Sequence, residues 1–202
     1  MGLDEIYTRR SIRKYQNKKV PIEIINEIIN AGIVAPSGKN KQPWRFLVFS
    51  GEKKDEIVQK MKDGIIREKN DVAILPASAF GIPDAENTVR IMEEAPVIIF
   101  VMNFFGTSPF DDISTDKRVT EIVDSLSIGA AVQNMLIKAE ELGIGTLWIG
   151  NTFFAYTELA QYIKDLILEE HQITCAIALG YADEKPNKRY RKSIEEVTKY
   201  YL

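Results

Sequence analysis

Four residues near the amino terminus have side chains suited to holding a dianion. Arg9, Ser11 and Arg13 alternate along the segment, and Arg10 lies among them. If the segment is extended, the three alternating side chains share one face, because successive residues of a strand point to opposite sides. Guanidinium groups pair bidentately with phosphate oxygens. The segment therefore predicts a phosphate site, with a solvated basic turn as the alternative.

A second basic set lies near the carboxyl terminus. Arg189 and Arg191 flank Tyr190 and also share a face if the chain there is extended. Two such sets at opposite chain ends could converge on one dianion. The sequence alone leaves this convergence open.

A turn-rich segment, residues 35–44, follows the second predicted helix and contains Pro36, Ser37, Gly38 and Asn40. Its backbone N–H groups and amide side chains offer donors and acceptors to a planar polar ring. The alternative is an ordinary helix-to-strand connection.

Several other kinds of chemistry are excluded. The chain has one cysteine, Cys175, and one histidine, His171, so we expect no internal disulfide and no Cys/His metal cluster. Cys175 lies in an apolar run that predicts an inert buried thiol. Residues 32–39 superficially resemble the phosphate-binding P-loop, but five residues separate their two glycines where that motif has four, so we reject this assignment. No Gly-rich dinucleotide fingerprint and no hydrolase triad is present.

Composition sets the remaining limits. The net charge is −3 and 27% of residues are charged, so no strong field favours nucleic acid or an anionic membrane. The longest apolar stretch, residues 95–102, is far short of the roughly 20 residues that cross a bilayer. We expect a soluble, cytoplasmic protein with one domain over residues 1–202.

Periodicity predicts helices and strands that interleave, and hence a mixed α/β fold around a central sheet. Residues 70–85, with two prolines and a glycine, predict a loop or lid with little regular structure. The helices are predicted over 3–9, from Pro21 to before Pro36, 52–68, 118–142, 159–168 and after Ser193. The strands are predicted over 44–49, 97–104, 146–149 and 173–179.

In order, the segments resemble the nitroreductase-like family of FMN-dependent oxidoreductases over nearly the whole chain. The resemblance is carried by residues 9–13, 35–44, 129–134 and 143–150, and by 180–181 followed by 189–192. It implies an α+β fold, a three-layer α-β-α sandwich with a central mixed, mainly antiparallel sheet. It also implies a homodimer with two FMN sites, each built from both chains.

The resemblance also implies residue roles. Arg9 would hold the FMN phosphate, with Ser11 beside it and Arg10 in the same motif, and Arg13 would approach the pyrimidine edge of the flavin. Arg189 and Arg191 would complete the phosphate clamp. Ile149, Gly150 and Asn151 would lie by the isoalloxazine and offer backbone donors, whereas Pro36, Ser37, Gly38 and Asn40 would come from the partner chain.

The implied activity is hydride transfer from NADH or NADPH to a small oxidised acceptor, such as a nitroaromatic or a quinone, with ping-pong kinetics. The flavin supplies the redox chemistry, so no side chain is named as a catalytic acid or base. Two alternatives stay open. One is an FMN carrier or sensor without turnover, and the other is an enzyme of the same fold that dehalogenates, desaturates or consumes flavin.

Overall fold

The computed structural model describes residues 4–70, 72–169 and 171–202. Their strands form one sheet in the order β1-β2-β4-β3, in which every neighbouring pair is antiparallel. The strands are β1 (Trp44–Ser50), β2 (Val97–Asn103), β3 (Gly145–Ile149) and β4 (Gln172–Gly180). The helices are α1 (Glu5–Thr8), α2 (Ile22–Ile33), α3 (Gly51–Asn70), α4 (Ile82–Glu94), α5 (Thr115–Glu141), α6 (Tyr156–Ile167) and α7 (Ile194–Val197).

Helices cover both faces of this sheet. In β2, Ile98, Phe100 and Met102 pack with α3, α4 and α6, whereas the alternate residues Val97 and Ile99 pack with α2 and α5. All seven residues of β2 are buried, and burying each large apolar side chain contributes about 1.5–3 kcal/mol. The predicted three-layer α-β-α sandwich is confirmed. Among the residues that the structure describes, parallel pairing occurs only at the sheet edge, in a bridge between Ser11 and Thr146.

The lid prediction is wrong in one respect. Residues 70–85 were expected to lack regular structure, yet a 3₁₀ turn (Pro76–Gly81) leads directly into α4, which no pattern predicted. Pro83 lies in the first turn of α4, where the missing N–H has no intrahelical acceptor to lose. Asp71 lies outside the described residues.

Helix starts also differ from the expectations. The structure begins α5 at Thr115, three residues earlier than predicted, because the Ser114 hydroxyl accepts a hydrogen bond from the backbone N–H of Lys117. The described part of the first helix is limited to Glu5–Thr8, and Leu3, where the predicted helix begins, lies outside the described residues. No helix among the described residues combines the length and apolar character needed to cross a bilayer.

Candidate active site

The two basic sets meet in one cleft of about 620 Å³. It contains six of the predicted site residues: Arg9, Arg10, Ser11, Arg13, Arg189 and Arg191. Lys188 adds a further cation, and none of the lining residues is acidic. Such a concentration of positive charge at a concave surface suits a bound anion.

Backbone pairing explains why the chain ends converge. On one side, the N–H of Ile12 donates to the carbonyl of Thr146 in β3 at 2.9 Å. On the other side, Tyr15 pairs with Ala182 in an antiparallel bridge. The segment of residues 11–16 is therefore inserted between the β3 edge and the chain that leaves β4. This arrangement places the residues after Tyr181 beside the first arginine set.

A glycine in β3 permits this close approach. A Cβ atom at Gly145 would lie 2.8 Å from Cγ1 of Ile12, well inside normal contact distance. Any side chain at this position would push the inserted segment away from the sheet. Glu184 supports the same pairing, because its carboxylate accepts a hydrogen bond from the backbone N–H of Arg13.

The surroundings of Arg9 leave its guanidinium available to a ligand. Within the described ranges, no acceptor takes a hydrogen bond from it and no carboxylate forms an ion pair with it. Burial lowers the pKa of Arg9; Glu140 opposes this shift, whereas the neighbouring Arg191 and Arg10 add to it. A dianion in the cleft would offset this crowding of cations.

Arg10 lines the same cleft but is bound differently. Its Nη1 donates to the carbonyl oxygens of Tyr7, Thr8 and Arg9, each at 2.8 Å. These carbonyls belong to the carboxyl-terminal end of α1, where backbone acceptors lack intrahelical partners. Arg10 therefore caps α1 and stabilises the wall of the cleft.

A smaller cleft of about 110 Å³ adjoins the first through Arg13, which lines both. It is also lined by Ile149, Gly150 and Asn151. A Cβ atom at Gly150 would meet nothing within 4 Å, so the space above this residue is open. Among the described residues, no acceptor bonds to the backbone N–H of Gly150 or Asn151. Two donors are therefore available at the end of β3.

The remaining predicted residues, Pro36, Ser37, Gly38 and Asn40, line neither cleft of their own chain. The backbone N–H of Gly38 instead donates to the Ser127 hydroxyl on α5 at 3.3 Å. Three non-glycine residues of the loop, Lys39, Asn40 and Gln42, have φ values of 53°, 55° and 48°. Left-handed backbone of this kind is strained and concentrates at functional sites.

Sequence reasoning missed the contribution of α4. Asp84, Asn87 and Thr88 line the smaller cleft, but no helix was predicted there and no motif singled them out. The amphipathic spacing of Ala85, Val89 and Met92 was the available signal. Cys175, as expected, is 2% exposed, and burial raises the pKa of its thiol to about 12. No group of metal-ligating side chains occurs in the described parts of the chain.

Known proteins are similar to this chain in sequence and in fold. A candidate NADH dehydrogenase/NAD(P)H nitroreductase of Methanothermobacter thermautotrophicus is 32% identical over 93% of this chain and 80% of its own length. A protein of the same description from Archaeoglobus fulgidus is 30% identical over 91% of this chain and 87% of its own.

A candidate nitroreductase of Desulfovibrio desulfuricans, crystallised in complex with FMN, aligns with a TM-score of 0.70 and 27% identity. The alignment covers 99% of this chain and 96% of that one. The sequence profile of the nitroreductase family matches residues 6–181. Because that match spans most of the sequence, the chain belongs to the nitroreductase family.

Proposed function

We propose that this protein is an FMN-dependent oxidoreductase that uses NADH or NADPH to reduce a small oxidised acceptor such as a nitroaromatic or a quinone. The proposal rests on two adjoining clefts that share Arg13 in their lining. One cleft is strongly cationic, and the other has free backbone donors. FMN has a dianionic phosphate at one end and a planar polar ring at the other. The two clefts match these two ends.

The cationic cleft fits the phosphate. Arg9 provides a guanidinium without a protein acceptor in the described structure, and Arg189 and Arg191 reach the same space from the carboxyl-terminal segment. Ser11 adds a hydroxyl. Charge-assisted hydrogen bonds from such groups are about twice as strong as neutral ones. Together these four residues hold the phosphate, and Arg10 stabilises the wall behind them.

The smaller cleft fits the polar edge of the ring. The free N–H groups of Gly150 and Asn151 orient it, and the buried side chain of Ile149 anchors the strand end that presents them. Arg13 places a fixed cation beside the ring, where a positive charge favours the electron-rich form. When bound, FMN would supply the chemistry for hydride transfer between a nicotinamide and the acceptor. The protein binds FMN, orients its ring and tunes its reduction potential, so no side chain is assigned as a proton donor.

The loop with Pro36, Ser37, Gly38 and Asn40 completes the site of a second copy of the chain. It lies beside exposed apolar residues on α5, since a Cβ atom at Gly38 would lie 3.1 Å from the Val123 side chain. We define the α5 stripe as Val119, Ile122, Val123 and Leu126, all of which are exposed. Pairing of two stripes would bury this apolar surface and bring the strained loop of each copy toward its partner.

The test is an anaerobic titration of the purified protein. We expect a bound FMN spectrum that NADH or NADPH bleaches and that a nitroaromatic or quinone restores. FMN that neither nicotinamide reduces would instead indicate a carrier or sensor. FMN that a nicotinamide reduces but these acceptors do not reoxidise would indicate other chemistry. Product analysis with a wider acceptor panel would then identify it. Protein that stays colourless in excess FMN would overturn the proposal.

A further inference from the structure

A hydrogen-bond network links α4 to the end of β3. Nδ2 of Asn151 donates to Oδ2 of Asp84 at 2.9 Å and to Oγ1 of Thr88 at 3.1 Å. An amide group has two N–H donors, and both are used here. The Thr88 hydroxyl donates its own proton to the Asp84 carbonyl at 2.9 Å, so its lone pairs are left to accept from Asn151. Thr88 is 6% exposed, so water competes little for this contact.

The network acts on the residues that carry the free backbone donors. Ile149 is paired with Ala176 in the sheet. Ala155 packs so tightly against α3 that a Cβ atom added to Gly64 would lie 2.3 Å from the Cα atom of Ala155. Between these anchors the later residues are held by the buried Thr152 and by a hydrogen bond from Nη2 of Arg67 to the Phe154 carbonyl, whereas Gly150 is exposed and Asn151 is half-buried. The Asn151 side chain therefore ties this stretch to α4.

We infer that Thr88 and Asp84 are positioning residues that, through the Asn151 side chain, aim the N–H groups of Gly150 and Asn151 at the polar edge of the flavin. The inference rests on the proposed function, because it presumes that FMN occupies the smaller cleft. It assigns α4 a role in tuning the cofactor as well as in covering the core.

The expected effect concerns redox preference rather than cofactor retention. Donors aimed at the carbonyl oxygens of that edge stabilise the reduced flavin more than the oxidised flavin, because reduction adds electron density to those oxygens. The phosphate contacts, in contrast, lie in the other cleft and do not involve Thr88. Misaligned donors should therefore make the midpoint potential more negative and leave FMN binding nearly unchanged.

Thr88→Val tests this inference, because valine keeps the shape of threonine and removes the acceptor. We expect a roughly tenfold weaker preference for reduced over oxidised FMN, which corresponds to about 30 mV for a two-electron couple. The ¹³C resonances of the two ring carbonyls in labelled FMN should shift as well. Thr88→Ser keeps the hydroxyl and should restore both readouts. Thr120→Val is the matched control, since Thr120 makes the same bond to its own helix, to the Asp116 carbonyl, without contacting Asn151.

A second measurement does not depend on the cofactor. In flavin-free protein, hydrogen exchange of residues 150–153 should be faster in Thr88→Val than in Thr88→Ser. If Thr88→Val does not fold, Asp84→Ala provides the same comparison, because Asp84 is exposed and its loss should be tolerated. Unchanged potential, carbonyl resonances and exchange in a folded variant would overturn the inference. If the wild-type protein binds no FMN but the two flavin-free variants still differ in hydrogen exchange, the proposed function is refuted. The link from Asn151 to α4 is then still supported.

Discussion

Arg9 and Arg10 are adjacent in the sequence, yet their guanidinium groups have different surroundings. Arg10 donates to three carbonyls at the end of α1, whereas no protein acceptor in the described ranges contacts Arg9. Arg9→Ala should therefore weaken FMN binding by about 1.5–3 kcal/mol, or about 10- to 150-fold. Fluorescence titration with FMN measures this loss. Lys19→Ala removes the same charge from an exposed position outside the cleft, and equal losses in both variants would refute the role of Arg9.

Gly150 separates the requirements of the fold from those of the cofactor. Its φ and ψ angles of −100° and −14° suit any residue, and an added Cβ atom would meet nothing within 4 Å. Gly150→Ala should leave the free energy of unfolding of the flavin-free protein unchanged within about 0.5 kcal/mol. FMN affinity should fall at least about tenfold, because the methyl group enters the space of the ring. Calorimetry and FMN titration on one preparation compare the two effects, and undiminished FMN binding would place the ring elsewhere.

At the scale of elements, Gly145 controls the contact that brings the two arginine sets together. Gly145→Ala would force Ile12 away from β3, because the new Cβ atom would overlap the Ile12 side chain. Overpacking of this kind costs about 1–3 kcal/mol of unfolding free energy. We expect lower stability in urea and, in contrast to Gly150→Ala, a parallel loss of FMN affinity. Gly129→Ala is the control, since its Cβ atom would meet only the Trp148 ring at 3.9 Å.

Element by element, the sequence predicts what periodicity encodes. The four strands and most of the helices were anticipated because their apolar residues repeat at intervals of two or near 3.6. Helix α4 was missed, since Pro83 suggested a break where it in fact occupies a first turn. That single error also hid Asp84 and Thr88. The positive φ angles of Lys39, Asn40 and Gln42 were equally unpredictable, because local preference disfavours them and only tertiary contacts can impose them.

The convergence of the arginine sets belongs to a different class of prediction. The alternation of Arg9, Ser11 and Arg13 indicates a face, but it does not say which other segment meets that face. The contact depends on the pairing of residues 11–16 with both β3 and the chain after Tyr181, which lie more than a hundred residues away. Pairings of this range are specified by the whole sheet, so only the structure establishes them.

At the scale of the whole molecule, the exposed α5 stripe is the surface through which we propose that two chains pair. Leu126 is 71% exposed, and its three apolar neighbours in the stripe are also exposed. Apolar surface arranged along one helix face marks an interface rather than a solvated surface. The strained loop at residues 36–42 lies next to this stripe and lines neither cleft of its own chain. One dimer would therefore explain both features.

Leu126→Asp tests this dimer, because a charge within the stripe must be desolvated when two copies pair. We expect sedimentation equilibrium to show a monomer, and FMN affinity to fall at least about tenfold because the loop of the partner is lost. Leu166→Asp is the matched control: Leu166 is 42% exposed on α6, outside the stripe, and the same substitution there should change neither property. A Leu126→Asp monomer that retains wild-type FMN affinity would show that each chain builds its site alone.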